Sequence, residues 1–591
     1  MRVLLVAFNA KYIHSNLAVY TLKAYARKCS GVYAPGELRI DIAEYTINQQ
    51  PDDILRSIYK KSPDLLCFSC YIWNMSYVEG IVKEIHKLLP DTDIWLGGPE
   101  VSYDAGEVLE RLPSVKGVMR GEGERTFADL CRIYMGRNLE ELAGMAGITY
   151  RQPDGRIQAN IPQKPLELDD VPFVYEDTQN TGNMADMGNF EHKILYYEAS
   201  RGCPFSCSYC LSSIDRRVRF RSLPLVKREL QFFLNQKVPQ VKFVDRTFNL
   251  KHERTLEIWR YLIEHDNGIT NFHFEIAADL LNEEELALIR TMRPGLIQLE
   301  IGVQSTNLDT LKEIRRAAVF ERIKKNVTYI RSSGNVHCHL DLIAGLPFED
   351  RKSFARSFDE VYALRPDQLQ LGFLKVLKGS YMEENRKAYG LVFKDAPPYE
   401  VLSTKWLSYD DVLKLKGVEE MVEVYYNSGQ FSHTLDALSE EFSSPWQLYM
   451  KLWKYYERGN YLDVQHKRSA RYEILLEFIK KRVPEKAEKF RELLVYDYYL
   501  RENAKTRPGF AGEYTVEKEF LREFYEKESR EHRYLPEYKE YDRNQMRKMT
   551  HIENFTILQK MLLFDYKCRN PLNQEARTCM IKKDLYIRKG R

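Results

Sequence analysis

Close behind a short apolar stretch, residues 194–199, comes the run Arg201-Gly202-Cys203-Pro204-Phe205-Ser206-Cys207-Ser208-Tyr209-Cys210, with the spacing C-x3-C-x2-C. Three thiolates on one short loop can hold three irons of a [4Fe–4S] cluster and leave the fourth iron without a protein ligand. A cube held by four cysteines mainly carries electrons. One with an open iron can also bind a substrate or cosubstrate. Structural zinc usually takes four ligands from paired C-x2-C elements, and no second pair follows here.

A chain of 591 residues is expected to hold several domains. Its first part alternates apolar strands (residues 2–9, 38–46, 64–72, 93–97, 117–120 and 147–151) with amphipathic stretches such as 17–28 and 78–89. Continuous apolar strands joined by helices imply a parallel sheet covered on both faces. Such sheets bind ligands at the carboxyl ends of their strands. The loops there are residues 9–15, Tyr71-Ile72-Trp73-Asn74, Gly97-Gly98-Pro99-Glu100 and Arg120-Gly121-Glu122-Gly123-Glu124. No G-x-G-x-x-G follows the first strand, so a dinucleotide is not expected.

Residues 190–385 read as a partial barrel of six strand–helix units, with strands at 194–200, 241–245, 272–277, 296–304, 336–344 and 368–376. In the fourth strand Ile297, Leu299, Ile301 and Val303 form one face, and Gln298, Glu300, Gly302 and Gln304 the other. In the fifth, apolar positions oppose His337, His339 and Asp341. The apolar faces must pack on outer helices, so the polar faces line the interior, where they call for a polar ligand. Glu198, His273, Glu275 and Gln370 join that lining by the same parity.

The cysteine spacing, with Tyr209 before the last cysteine, resembles the radical S-adenosylmethionine (SAM) superfamily. A doubly wound domain ahead of it is similar to the cobalamin-binding branch, over roughly residues 1–380. The resemblance implies an α/β protein with a Rossmann-like cobalamin domain (1–155), a linker (156–189), a partial (β/α)6 radical SAM barrel (190–385) and a helical C-terminal domain (386–591). It implies three cofactors: a [4Fe–4S] cluster on Cys203, Cys207 and Cys210, SAM cleaved to a 5′-deoxyadenosyl radical, and cobalamin. For SAM it implies Tyr209 beside the adenine, Asp245 at the methionyl end, Glu300 on the ribose hydroxyls and Gln304 one layer above, with Asp341 and Gly345 closing around adenosine. For cobalamin it implies Asn9, Trp73, Asn74, Gly97, Gly98, Pro99, Gly121 and Glu122. The D-x-H-x-x-G motif that supplies an axial histidine elsewhere is missing, and His14 is expected at a helix cap or the surface. The implied activity is methylation of an unactivated atom, with radical rearrangement or oxidation as the alternative. An external reductant such as flavodoxin or ferredoxin goes with either.

Two other readings compete. Methylthiotransferases that modify tRNA hold a second cluster in their first domain, but Cys67 and Cys70 lie three apart in one strand and point to opposite faces. A cluster-bearing sensor would need no polar lumen. Beyond about residue 385 apolar residues recur at helical spacing, as at 448–456 and 472–479, which resembles the extension of an uncharacterised subset of the same proteins. Residues 567–591 read as a solvated basic tail (Lys567, Arg569, Arg577, Lys582, Lys583, Arg588, Lys589, Arg591), with Cys568 and Cys579 as buried thiols. Lys and Arg number 88 against 85 Asp and Glu, so net charge gives only weak support for nucleic acid. Ten cysteines in so long a chain, some needed as thiolates, point to the cytoplasm, and no run is long and apolar enough to span a membrane.

Overall fold

A computed structural model describes residues 1–11, 14–29, 37–175, 193–462 and 464–582. Lys583, Arg588, Lys589 and Arg591 of the expected tail lie outside the described residues. The chain divides into two units. The first holds residues 1–336, 343–350 and 372–409; the second holds 337–342, 351–371 and 410–591.

The first unit begins with a seven-stranded sheet. Its strands are β1 (Arg2–Asn9), β2 (Arg39–Thr46), β3 (Leu65–Ser69), β4 (Asp93–Gly97), β5 (Val115–Met119), β6 (Ile148–Arg151) and β7 (Ile157–Ala159), in the order β2-β1-β3-β4-β5-β6-β7. The first five are parallel; β6 and β7 add antiparallel, which carries the sheet past residue 155. Between them lie α1 (Leu17–Cys29), α2 (Pro51–Lys61), α3 (Met75–Leu88), α4 (Pro99–Ser102), α5 (Ala105–Arg111) and α6 (Gly123–Gly136). Alternate residues of β1 feed opposite cores: Leu4, Val6 and Phe8 pack under α2, α3 and α5, while Val3, Leu5 and Ala7 pack under α1 and α6.

The same unit continues into β8 (Ile194–Tyr197), the short β9 (Ser200–Arg201) and β10 (Arg219–Phe220), then α7 (Leu223–Asn235), β11 (Gln240–Phe243), α8 (His252–Glu264), β12 (Asn271–Ile276), α9 (Glu283–Arg290), β13 (Ile297–Gln304), α10 (Leu308–Glu313) and α11 (Phe320–Ser333). Strands β8, β11, β12 and β13 pair in parallel in that order. Parity holds in β13: Ile297, Leu299, Ile301 and Val303 are buried, and Gln298, Glu300 and Gly302 are half-buried.

Strand β14 (His337–Ala344), helix α12 (Arg351–Tyr362) and strand β15 (Gln368–Phe373) complete the six repeats. The second unit is mostly helical from α14 (Tyr409–Met421) to α20 (Arg543–Lys548), and it ends in an antiparallel sheet of β18 (Thr550–Phe555), β19 (Lys560–Arg569) and β20 (Ala576–Met580). The basic tail is therefore corrected: Lys567 and Arg569 end β19, and Arg577 lies in β20, ion-paired to Asp565 at 2.7 Å and Glu537 at 3.3 Å. Cys568 in β19 bonds Glu537 and Cys579 in β20 stands opposite Leu563, and both thiols are half-buried, not buried as expected. No helix among the described residues is long and apolar enough to cross a membrane.

Candidate functional site

The cysteine loop is held from three sides. Gly202 has φ +92°, and a Cβ there would collide with the Arg217 carbonyl, so the turn needs glycine. Cys203 N–H donates to Asp215 O at 3.1 Å, Ser208 N–H to Ile314 O at 3.0 Å, and Met382 N–H to Ser208 O at 3.1 Å. Cys203 and Cys207 are buried and Cys210 is half-buried. Cys203 Sγ lies 3.9 Å from Thr247 Oγ1, and Arg316 Nη1 lies 3.9 Å from Cys207 Sγ. Burial, followed by the neighbouring Cys210 and Cys207, pushes the Cys203 thiol up against the pull of the Phe205 N–H and Thr247.

Around this loop three buried polar atoms have no hydrogen-bond partner: Ser208 Oγ, Gln304 Oε1 and Arg316 Nε. Gln304 ends β13 with φ +72°, a conformation that costs a non-glycine residue energy. Its amide folds back over Gly302, where a Cβ would collide with it. Tyr209 packs among Leu311, Ile314, Leu346 and Met382, and burial pushes its hydroxyl far up. Gly345 has φ +92° and packs against Val401.

Three expected SAM residues have partners within the protein. Asp245 is 2% exposed and accepts from Ala199 N–H at 2.9 Å and Ser200 Oγ at 2.6 Å, with both oxygens taken. It braces the strand end that leads into the cysteines, and burial raises its carboxyl to about 7. Glu300 meets Lys242 Nζ at 2.9 Å and His273 Nε2 at 3.0 Å. Burial alone would raise its carboxyl; the His273 hydrogen bond and the Lys242 charge outweigh it and bring it to about 2. Asp341 lies 3.0 Å from His339 Nε2.

At the carboxyl edge of the first sheet the outcome is similar. Asn74 is fully buried, donates to Phe8 O and Ser69 O, and accepts from Tyr71 N–H, so it shapes the loop and cannot face a ligand. Asn9 donates to His14 O and Glu44. Gly98, at φ +118°, lets β4 pass the Cys70 carbonyl, and Pro99 starts α4. Glu122 is held by Arg219, Arg201 and the Leu166 N–H, and Glu124 by Arg201 at 2.7 Å. Their carboxylates tie this sheet to the cysteine strand instead of facing outward. What stays open is Trp73, 46% exposed and stacked on Tyr71 at 4.4 Å, and Gly121, at φ +72° with nothing within 4 Å of a Cβ. Gly97 makes only ordinary contact with Met119. His14 is corrected: its Nδ1 lies 2.6 Å from the Tyr196 hydroxyl, and residue 14 bridges β8.

Comparison with known proteins matches the B12-binding domain family over residues 3–131 and the radical SAM superfamily over residues 197–361. The chain carries a B12-binding domain followed by a radical SAM domain. A third family, described only as a protein of unknown function (DUF4080), matches residues 387–571. Among relatives of this chain is the cobalamin-dependent radical SAM methyltransferase TokK of Streptomyces tokunonensis, 26% identical over 49% of this chain and 44% of TokK. Another is an anaerobic magnesium-protoporphyrin IX monomethyl ester cyclase of Rubrivivax gelatinosus, 25% identical over 54% of this chain and 56% of the cyclase. The chain thus spans about half the length of these relatives. The cobalamin-dependent SAM radical enzyme OxsB, solved with aqua-cobalamin, shares the fold at TM-score 0.57 and 17% identity, over 86% of this chain and 82% of that one.

The residues present fit the cofactors that these domains take. Three thiols converge on one loop, buried polar atoms beside it lack partners, and an indole and an open glycine stand at the sheet edge. A second cluster in the first domain does not fit: Cys67 and Cys70 belong to opposite cores, and burial pushes both thiols well up. Sequence reasoning missed Ser208 and Arg316. Ser208 lay inside the motif, but nothing local marks Arg316, 109 residues from Cys207.

Proposed function

We propose that this protein is a cobalamin-dependent radical SAM methyltransferase acting on an unactivated atom. The observation that carries this is the cysteine loop with three buried atoms, Ser208 Oγ, Gln304 Oε1 and Arg316 Nε, left without hydrogen-bond partners around it, in one unit with a B12-binding sheet. When bound, the cofactors supply a 5′-deoxyadenosyl radical and a transferable methyl group. Cys203, Cys207 and Cys210 would hold the cluster. Ser208 and Gln304 would offer hydrogen bonds to SAM, with Tyr209 and Gly345 bordering it. Asp245 braces the cysteine loop, and Glu300 balances the Lys242 charge in the lumen. Trp73, Gly97, Pro99 and Gly121 would contact cobalamin, while Asn9, Asn74, Gly98 and Glu122 shape the loops that present them. His14 is engaged by Tyr196, so no histidine of this chain is assigned to cobalt.

The test is anaerobic reconstitution with iron, sulfide, cobalamin and a low-potential reductant such as flavodoxin, using SAM labelled in its methyl group. Formation of both 5′-deoxyadenosine and demethylated SAM is expected. 5′-Deoxyadenosine alone would favour rearrangement or oxidation over methyl transfer; one similar protein is named a cyclase and not a methyltransferase. Neither product, with all cofactors bound, would refute the enzyme reading. Labelling the protein with 15N should leave the EPR spectrum of the cob(II)alamin form unchanged; a changed spectrum would place a protein nitrogen on cobalt.

A further inference from the structure

The three thiols of the loop sit in unequal surroundings. Cys203 has a hydroxyl beside it, Thr247 Oγ1 at 3.9 Å. Cys210 is the most exposed of the three. Cys207 alone has a guanidinium on its sulfur, Arg316 Nη1 at 3.9 Å. That guanidinium is fixed by more than the sulfur. Its Nη2 bonds the Gly302 carbonyl on β13. Its chain segment also accepts the Ser208 N–H through Ile314 O, so the arginine and the cysteine loop are tied by backbone as well as by side chain. An arginine keeps its positive charge at every pH a protein meets, and its planar fork allows two fixed bonds at once.

We infer that Arg316 is a positioning residue that sets the reduction potential of the cluster through Cys207. The inference rests on the assignment of a [4Fe–4S] cluster to these cysteines. Taking up one electron from a low-potential donor protein makes the cluster one unit more negative, with no bond broken and no proton required. A fixed cation on one ligand sulfur stabilises that added charge, and hydrogen bonds to cluster sulfurs together with net charge are what tune such potentials. In a partly buried site the effect is screened less than at the surface. Arg316 therefore raises the potential and makes the first electron easier to deliver. The Thr247 hydroxyl on Cys203 carries no charge and contributes less.

The experiment is an EPR-monitored redox titration of the full-length protein, reconstituted with iron and sulfide and without SAM. Arg316→Gln should titrate at a more negative midpoint than wild type with the same iron content. Arg316→Lys, which keeps the charge, should return close to wild type, and Thr247→Val should shift less than Arg316→Gln. An unchanged midpoint in Arg316→Gln would overturn the inference, as would an Arg316→Lys midpoint as low as that of Arg316→Gln, which would mean packing and not charge. If Arg316→Gln takes up no iron, full loading of Arg316→Lys supports a need for the cation, and loss of iron in both variants overturns it. A wild-type protein that binds no iron would instead refute the cluster assignment.

Discussion

The cysteine loop and the carboxyl edge of the first sheet are both strand-end sites, yet they use their polar residues in opposite ways. At the sheet edge Asn9, Asn74 and Glu122 are tied to backbone groups or to neighbouring charged side chains of the protein itself. Beside the cysteines, Ser208 Oγ, Gln304 Oε1 and Arg316 Nε are buried with no hydrogen-bond partner. A buried polar group without a partner costs about 1–3 kcal/mol. The loop region thus carries an uncompensated cost that a polar ligand would relieve, whereas Asn9, Asn74 and Glu122 at the sheet edge have made their own bonds and leave mainly an indole face and a bare glycine. A polar residue at a strand end is not by itself a ligand. The ones available for binding are those left over after the fold has made its own bonds.

Substitutions can break this comparison. The largest expected effect is on the loop: Cys203→Ala, Cys207→Ala and Cys210→Ala together should take bound iron from about four atoms per chain to none, leaving cobalamin retention unchanged. Iron and sulfide determination on the triple variant checks it, and residual iron with 5′-deoxyadenosine formation would move the cluster elsewhere.

Next comes Asn74→Ala at the sheet edge. It removes two bonds to backbone carbonyls and one to a backbone N–H, and should lower unfolding stability by about 3 kcal/mol. A variant as stable as wild type that fails to bind cobalamin would show Asn74 to be a ligand residue after all.

Glu300→Gln is expected to act on stability and not on SAM. The carboxyl is held near 2 against an ordinary value of 4.5, so its contribution is fully present above pH 4.5 and lost as pH falls through 2. With a fifth of the side chain exposed, the loss at pH 7 should be about 2 kcal/mol, shrinking below pH 4.5 as the wild-type carboxylate is protonated too. Denaturant unfolding as a function of pH measures this. A drop in SAM affinity at unchanged stability would return Glu300 to the ribose.

The smallest effect belongs to Trp73→Ala. Its indole is half-exposed but donates to Phe8 O at 3.1 Å and stacks on Tyr71, so folding stability should fall by only about 1 kcal/mol, while cobalamin affinity falls roughly tenfold, in line with about 0.5–1.5 kcal/mol for an aromatic contact. Equilibrium binding followed by absorbance separates the two quantities.

How far the sequence carried depended on the range of the interaction. The C-x3-C-x2-C loop is complete within eight residues, so its chemistry was legible before any fold was known. Strand parity is a two-residue repeat, and it correctly put Glu300 on the polar face of β13 and Cys67 and Cys70 on opposite faces of β3 and its end. Loop residues have no such period, so Trp73 and Asn74 looked alike although one is half-exposed and the other fully buried. In β19 the apolar run Met561-Leu562-Leu563-Phe564 was a usable strand signal that the neighbouring basic residues obscured.

The amino-acid order by itself determined the cysteine loop, the alternation of strands and helices and which face each strand residue takes, because each is set by covalent spacing within a few residues. Only the tertiary structure decided which polar groups are already taken. Lys242 reaches Glu300 across 58 residues, Arg219 reaches Glu122 across 97 and Arg316 reaches Cys207 across 109. Pairings at that range follow from strand register and domain packing, and those arise from burial of apolar surface spread along the whole first unit, not from any local pattern around the charged residue itself.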